Sequence, residues 1–435
     1  MRRPTYDLTN PGWAIAAAIA VLTTIGLACI YVTDTHYAAG NDGPANAAKQ
    51  SLRIVAGLAV ASIVLRIGYQ NIGRYSYAVF LAAVVLLVPL LVAKVLHTSM
   101  GGLTAPRNGA YRWIQLPGIL LQPSEFVKVA YVVALAWYLR FRKNYRRLSG
   151  LSAPVAVSMA PIMLILLEPD LGTAMLLVPV LFTMLFIAGA RIPHLVLMGV
   201  IGVALVPPAW GKLEAYQRLR VTAVLLQNDS LRRAVIDRPE KYPALATRRQ
   251  ALEWTAGSGY QLVHSKNAIG SGGVLGQGWG RGVYVENNLL PDRHNDFVFA
   301  IVSHQWGLVG ASVVLAFYAV IVLAGVRIAS ATPEPFARLL AVGIVTLIAS
   351  QVIISVAMTI GLLPITGMTL PFVSYGGSSL LFNFAAVALL VSVAQHRPYL
   401  LTTEPFVFRR EQHERVGDGS SNPRQPADAT APQTL

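Results

Sequence analysis

The sequence predicts an all-α polytopic membrane protein of about ten transmembrane helices, with one large extracytoplasmic loop between the seventh and the eighth. Three observations carry that prediction. The 435-residue chain is 54% hydrophobic and only 13% charged, with a mean hydropathy of +0.54, which leaves too little polar surface to cover a soluble globule. Its apolar residues gather into runs near the roughly 20 residues that cross a hydrocarbon core. The Lys and Arg between those runs concentrate in alternate loops, as topology demands.

The first run, 13–32, is too long for a signal-peptide core and a second span follows it, so it is read as retained. Runs 52–70, 78–96 and 118–139 make spans two to four. Runs 152–168 and 171–189, parted by a Glu-Pro-Asp turn, make five and six, and 194–210 makes the seventh. After the long loop, 297–323, 338–362 and 379–396 complete the set, in which two spans are short. All read as helices, because lipid offers no partner to an open backbone group and the runs lack the alternation of barrel strands. With the amino terminus inside, Arg66, Arg74, Arg140, Arg146, Arg147, Arg191, Arg327 and Arg338 face the cytoplasm, so both termini are expected there.

The loop, residues 211–296, is far beyond the usual connection length and carries Trp254 and Trp279, so an ordered, functional segment is expected. Within it "LEAYQRLRVTAVL" has helical spacing, while "RRAVIDRPEKYPALATRR" reads as an irregular insert. Residues 1–400 form the transmembrane domain; 401–435, rich in Pro, Gly, Ser and Asp, read as a largely disordered cytoplasmic tail. The lone Cys29 excludes an internal disulfide. The net charge of +15 follows from topology, and no basic stripe interleaved with aromatics points to nucleic acid.

Ionisable residues inside spans are expensive and mark cavities or partners. "LLQPSEFVKVA" sets Glu125 and Lys128 one helical turn apart, either a neutralised structural pair or part of a site. Glu168 and Asp170 flank Pro169, where the ladder must break; a capped turn is the alternative reading. "AIGSGGVLGQGWGRG", 268–282, lacks the spacing of a Walker loop, and is either an anion-cradling nest or a flexible linker. In "PDRHNDFVFAIV" Asp296 is a helix cap or a negative charge that a site requires. Together these predict one outward-facing polar cavity lined by Arg112, Trp113, Glu125, Lys128, Glu168, Asp170, the glycine stretch, Asp296 and the 374–379 turn.

"NGAYRWIQLPGILLQPSEFVK", "EPDLGTA", "AIGSGGVLGQGWGRG", "LPDRHNDFVFAIV" and "GMTLPFVSYGGSSLL" resemble, in order and spacing, the SEDS family to which RodA and FtsW belong, over about residues 10–400. The resemblance implies a peptidoglycan glycosyltransferase of the bacterial cytoplasmic membrane that polymerises lipid II on the outer face. It implies Asp296 as general base, and a substrate-binding set of Arg112, Trp113, Glu125, Lys128, Asp170, Lys266, His294 and Ser374, with His294 better suited to a structural role. It implies a class B penicillin-binding protein transpeptidase as partner, beside other elongasome or divisome membrane proteins. A divalent cation, Mg or Mn, could bridge Asp296 and the pyrophosphate, since hard cations prefer oxygen, although no ligand spacing demands one.

The chain departs from the family pattern in three places. Where relatives commonly carry Glu-Glu-Leu-Gly, this chain has His304, Gln305, Trp306 and Gly307, so two acidic groups expected near the site are uncharged. "GRGVYVENN" lacks the usual Thr-Gln pair, and the 229–255 insert is long. Two other classes stay open: a lipid II flippase, and a catalytically altered paralogue that scaffolds and activates its transpeptidase. An ion-coupled transporter is disfavoured by the lack of paired broken helices.

Overall fold

The computed structural model describes residues 11–37, 45–96, 102, 104, 111–116, 119–141, 144–211, 213–243, 245–287, 289–291 and 294–395. The predicted 401–435 tail and the amino-terminal residues before 11 lie outside them. Ten apolar helical spans appear among the described residues in the order expected: Pro11–Tyr37, Ala45–Ile67, Ser76–Leu96, Pro123–Leu139, Leu148–Leu167, Leu171–Ile187, Ile192–Trp210, Val298–Ala331, Pro335–Thr359 and Gly377–Gln395. Eight are long and apolar enough to cross a membrane; Pro123–Leu139 and Leu171–Ile187, of 17 residues each, are the two short ones.

Burial explains which spans sit where. The fourth buries nearly every residue, as a helix surrounded by others must. Its Tyr131 and Leu135 pack with Leu340 and Ile348 of the ninth span and Leu390 of the tenth in the main core. Ile192–Ala204 is the opposite case: Leu195 is its single buried residue, so this helix rides on the outside of the bundle.

The fourth span begins later than the hydropathy implied, at Pro123, because Ile119–Leu121 pairs as a strand antiparallel to Ile114–Leu116, with Gln115 opposite Leu120. Pro at the first helical position costs no hydrogen bond there and fixes the start.

The long connection between the seventh and eighth spans is ordered around a second core of Leu226, Val235, Trp254, Leu262, Val285 and Leu290, joined by Phe297 and Ile301 from the start of the eighth span. The predicted helix is present as Ala215–Leu225, opened by a capping box between Glu214 and Gln217. The insert expected to be irregular contains a helix, Asp229–Asp237. Asn228 caps it by accepting from the Ser230 and Leu231 amides, and Pro239 ends it; five of its nine residues are polar, which hid a signal that rests on the burial of Val235.

The eighth span runs 34 residues but is broken at Gly307, whose φ of 62° and ψ of −157° only glycine adopts freely. A continuous helix would pair the His304 carbonyl with the Leu308 amide and the Gln305 carbonyl with the Val309 amide. Here the carbonyls accept from Gln277 and Gly278 at 3.0 Å each, and the amides donate to Gly273 at 2.9 Å and Val274 at 3.1 Å. The glycine stretch is therefore neither an anion nest nor a linker. Its glycines admit another backbone: a Cβ on Gly276 would lie 2.1 Å from the Gln305 carbonyl oxygen.

Candidate functional site

At the end of the bundle that meets the long connection, a cavity of about 540 Å³ is walled by the second, fourth, sixth and ninth spans, the strand pair, the 367–379 turn and Asp296. The predicted Arg112, Trp113, Glu125, Lys128, Asp170 and Asp296 all line it.

Glu125 and Lys128 face inward because a spacing of three residues puts them on one side of the first turns of the fourth span. Their charged atoms stand 2.7 Å apart with side-chain exposures of 9% and 3%. A pair this desolvated persists only with close geometry, and the carboxylate gains from lying in the first helical turn.

Asp170 caps the sixth span and ties it to the fourth. Its carboxylate accepts from the Thr173 amide at 3.2 Å, the Thr173 hydroxyl at 2.8 Å, the Ser124 hydroxyl at 3.0 Å and the Gln122 amide group at 3.2 Å. The cap reading and the supporting role coincide in this residue. Glu168 lies behind the cavity wall, not on it. Burial, and then the neighbouring Asp170, push its carboxyl up to about 9 against the opposing pull of Arg112 and Lys94, so it is a neutral acid at ordinary pH. Arg112 is aimed by this turn: its guanidinium donates to the Glu168 carbonyl at 3.3 Å and to the Pro169 carbonyl.

Asp296 is not the cap of the eighth span; Phe297 holds that position, with no side-chain cap bond. Its Oδ2 and a guanidinium nitrogen of Arg220, from helix Ala215–Leu225, each lie 3.4 Å from where a Cβ on Gly367 would stand. With φ at +76° and no side chain, Gly367 leaves room for both groups.

Three residues predicted to bind substrate have other places. His294 meets the Thr33 hydroxyl through Nδ1 at 2.8 Å, and its carbonyl accepts from the Tyr375 amide at 2.7 Å. The Ser374 hydroxyl donates to the Asn295 carbonyl at 2.6 Å and accepts from the Leu370 amide at 2.8 Å. Both therefore fix the backbone on which Asp296 sits and do not line the cavity. Lys266 donates to Gln227 at 3.3 Å on the long connection and is also absent from the cavity wall. A terminal ammonium just ahead of glycines resembles phosphate chemistry in sequence, but here those glycines serve the eighth span.

His304 and Gln305 are buried against the glycine stretch and do not share the cavity with Asp296. The expected loss of acidic groups at the site thus concerns the scaffold behind it.

Sequence reasoning missed Lys49, Arg53 and Gln351, which line the cavity, and Arg220 beside Asp296. The Arg53 guanidinium lies over the Tyr375 ring at 4.3 Å, and its Nη1 has no hydrogen-bond partner among the described residues. A signal existed for Arg53, since an arginine inside an apolar run is costly unless a cavity receives it. Among the described residues no three His, Cys, Asp or Glu converge to hold a metal ion.

A family model for FtsW, RodA and SpoVE, described as cell cycle proteins, matches residues 13–399. A probable peptidoglycan glycosyltransferase FtsW of Trichlorobacter lovleyi is 31% identical over 398 residues, covering 91% of this chain and 95% of that protein. The stage V sporulation protein E of Bacillus subtilis is 31% identical over 401 residues, covering 91% and 100%. The peptidoglycan glycosyltransferase MrdB of Escherichia coli is 31% identical over 311 residues, covering 71% and 78%. Among solved structures, a chain of a peptidoglycan synthase complex that coordinates polymerization and crosslinking superposes with a TM-score of 0.68 at 27% identity, covering 91% of this chain and 99% of that one. The rod shape determining protein RodA of Thermus thermophilus shares the fold, with a TM-score of 0.62 at 24% identity over 91% of this chain and 98% of that one.

Proposed function

Because this chain belongs to the FtsW, RodA and SpoVE family and is a multi-pass peptidoglycan glycosyltransferase, we propose that its substrate is lipid II and that Asp296 is the general base of glycan polymerisation. The observation that supports this reading is one cavity lined by Asp296 together with Lys49, Arg53, Arg112 and Lys128. Glycosyl transfer from a lipid pyrophosphate requires both: a carboxylate to accept the proton of the attacking hydroxyl, and cations where the leaving group gathers charge.

In the step proposed, the 4-hydroxyl oxygen of the acceptor sugar bonds to the anomeric carbon of the donor. The bond from that carbon to the pyrophosphate oxygen breaks, the hydroxyl proton passes to Asp296, and undecaprenyl pyrophosphate leaves with the electron pair. Arg53 and Lys128 are proposed to hold the phosphates, with the Glu125 carboxylate 2.7 Å from the Lys128 ammonium to orient it. A bound divalent cation would add charge at the pyrophosphate; Asp296 could ligate it, and among the described residues no set of three His, Cys, Asp or Glu converges around it.

The cavity side is proposed to face outward from the bacterial cytoplasmic membrane, with both termini inside. A class B transpeptidase is the proposed partner, in keeping with the synthase complex whose chain this one resembles. The test is polymerisation of labelled lipid II by the purified protein in detergent, where flipping has no meaning. Polymer from the wild type and none from Asp296→Asn is the expected result; monomer only from the wild type would overturn the reading.

A further inference from the structure

The Gly307 break exposes four backbone groups of the eighth span, and the glycine stretch satisfies all four. Side chains add to the same joint. The Gln305 Oε1 accepts from the Gly280 amide at 3.2 Å, and its Nε2 lies 4.0 Å from the Cys29 sulfur of the first span. The Ser271 hydroxyl meets His304 Nδ1 at 2.8 Å, and the His304 ring packs edge-on against Tyr284 with centroids 5.4 Å apart. Gln305 is fully buried, so its acceptor oxygen cannot turn to water if Gly280 moves away.

The residues on the other side of the break make this joint more than local packing. Residues 298–306 form a half-helix between Asp296 and Gly307, and its Phe297 and Ile301 end lies in the core of the long connection. Its tilt decides how far the Asp296 carboxylate reaches into the cavity, and a displacement of about 1 Å at a reacting group can cost on the order of a hundredfold in rate.

We infer that residues 271–282 act as a splint on the broken eighth span and that Gln305, through its bond to Gly280, is a positioning residue for the reaction carried by Asp296. The inference rests on the reading of Asp296 as the base. It also gives the departure from the family pattern a meaning: glutamine and glutamate both present an acceptor oxygen to Gly280, so the joint needs an acceptor at this position and not a charge.

The test compares Gln305→Met, which keeps the volume and removes the oxygen acceptor, with Gln305→Glu, which keeps the acceptor. Both are purified as full chains beside wild type and Asp296→Asn, and assayed with labelled lipid II over a range of substrate concentrations. The expected result is a loss of about tenfold in kcat for Gln305→Met at unchanged KM, with Gln305→Glu within about twofold of wild type. Ser271→Ala, which loosens the same joint from the other side, is expected to lower kcat about threefold at unchanged KM, and it supplies the readout if Gln305→Met does not fold. Wild-type kcat in Gln305→Met, or in Ser271→Ala where that variant must stand in, overturns the inference. So does a rise in KM at unchanged kcat, or a Gln305→Glu variant as slow as Gln305→Met. Full activity in Asp296→Asn would instead remove the base, whatever the Gln305 variants do.

Discussion

The two halves of the cavity wall are held in opposite ways. On the bundle side, each carboxylate is satisfied by side chains one turn away or on the adjoining helix: Glu125 by Lys128, Asp170 by Thr173, Ser124 and Gln122. On the loop side, Asp296 is placed by ties to its neighbours' backbone, through His294, Ser374 and the splinted half-helix. A rigid bundle can orient a charge by itself, whereas a residue at the end of a long connection must have its main chain fixed first. Substitutions on the bundle side should therefore register in stability as well as rate, and those on the loop side mainly in rate.

The largest effect expected is from Asp296→Asn. Since Asp296 is not the helix cap, the fold and melting temperature should stay near wild type, while polymerisation drops by about a hundred- to ten-thousand-fold, the usual worth of a general base. Gel analysis of labelled products at matched protein concentration measures it, and near-normal polymer would remove the assignment.

Lys128→Met tests the bundle side. It leaves Glu125 buried without its cation, so a loss of about 3–5 kcal/mol is expected beside the loss of activity. The double variant Glu125→Gln, Lys128→Met should recover much of the stability and none of the polymerisation. Recovery of both would make the pair purely structural.

Ser374→Ala removes the hydrogen bond that holds the Asn295 carbonyl and the one that accepts from the Leu370 amide, for about 1–3 kcal/mol locally. A fall in kcat of about tenfold with little change in melting temperature is expected; thermal unfolding and initial rates on one preparation would show whether the two effects separate.

A further effect, read as a pH slope, concerns Glu168. Its folded-state pKa is raised to about 9 from the 4.5 of an ordinary glutamate, so the folded protein holds a proton that the unfolded chain releases. The stability this confers is complete below about pH 4.5 and is lost as pH rises toward 9. The melting temperature of the wild type should fall across that window more steeply than that of Glu168→Gln. Parallel slopes would mean that Glu168 is ionised in the folded state.

The spans were legible because lipid writes its demand directly into composition, and Glu125, Lys128 and Asp296 stood out because charge beside an apolar run needs a reason. Arg220 and Lys49 carried no such mark: each occupies an ordinary polar position, and only tertiary packing brings Lys49 to the cavity and Arg220 beside Asp296. The glycine stretch was visible as glycine but not as a splint, since bonds between two main chains leave no side-chain signature. The 118–139 run takes in residues 119–121 because Ile119, Leu120 and Leu121 are as apolar as a helix, and hydropathy does not distinguish a short strand from a helical turn.

The break at Gly307 also bears on how the chain is made. The groups that receive the Leu308 and Val309 amides are those of Gly273 and Val274, 35 residues earlier in each case (308 − 273 and 309 − 274), and so are synthesised before them. The eighth helix can settle into its bent form as it emerges, using only material that precedes it, and has no need to wait for the ninth and tenth. A nascent chain halted after Ala331 should already hold the bend.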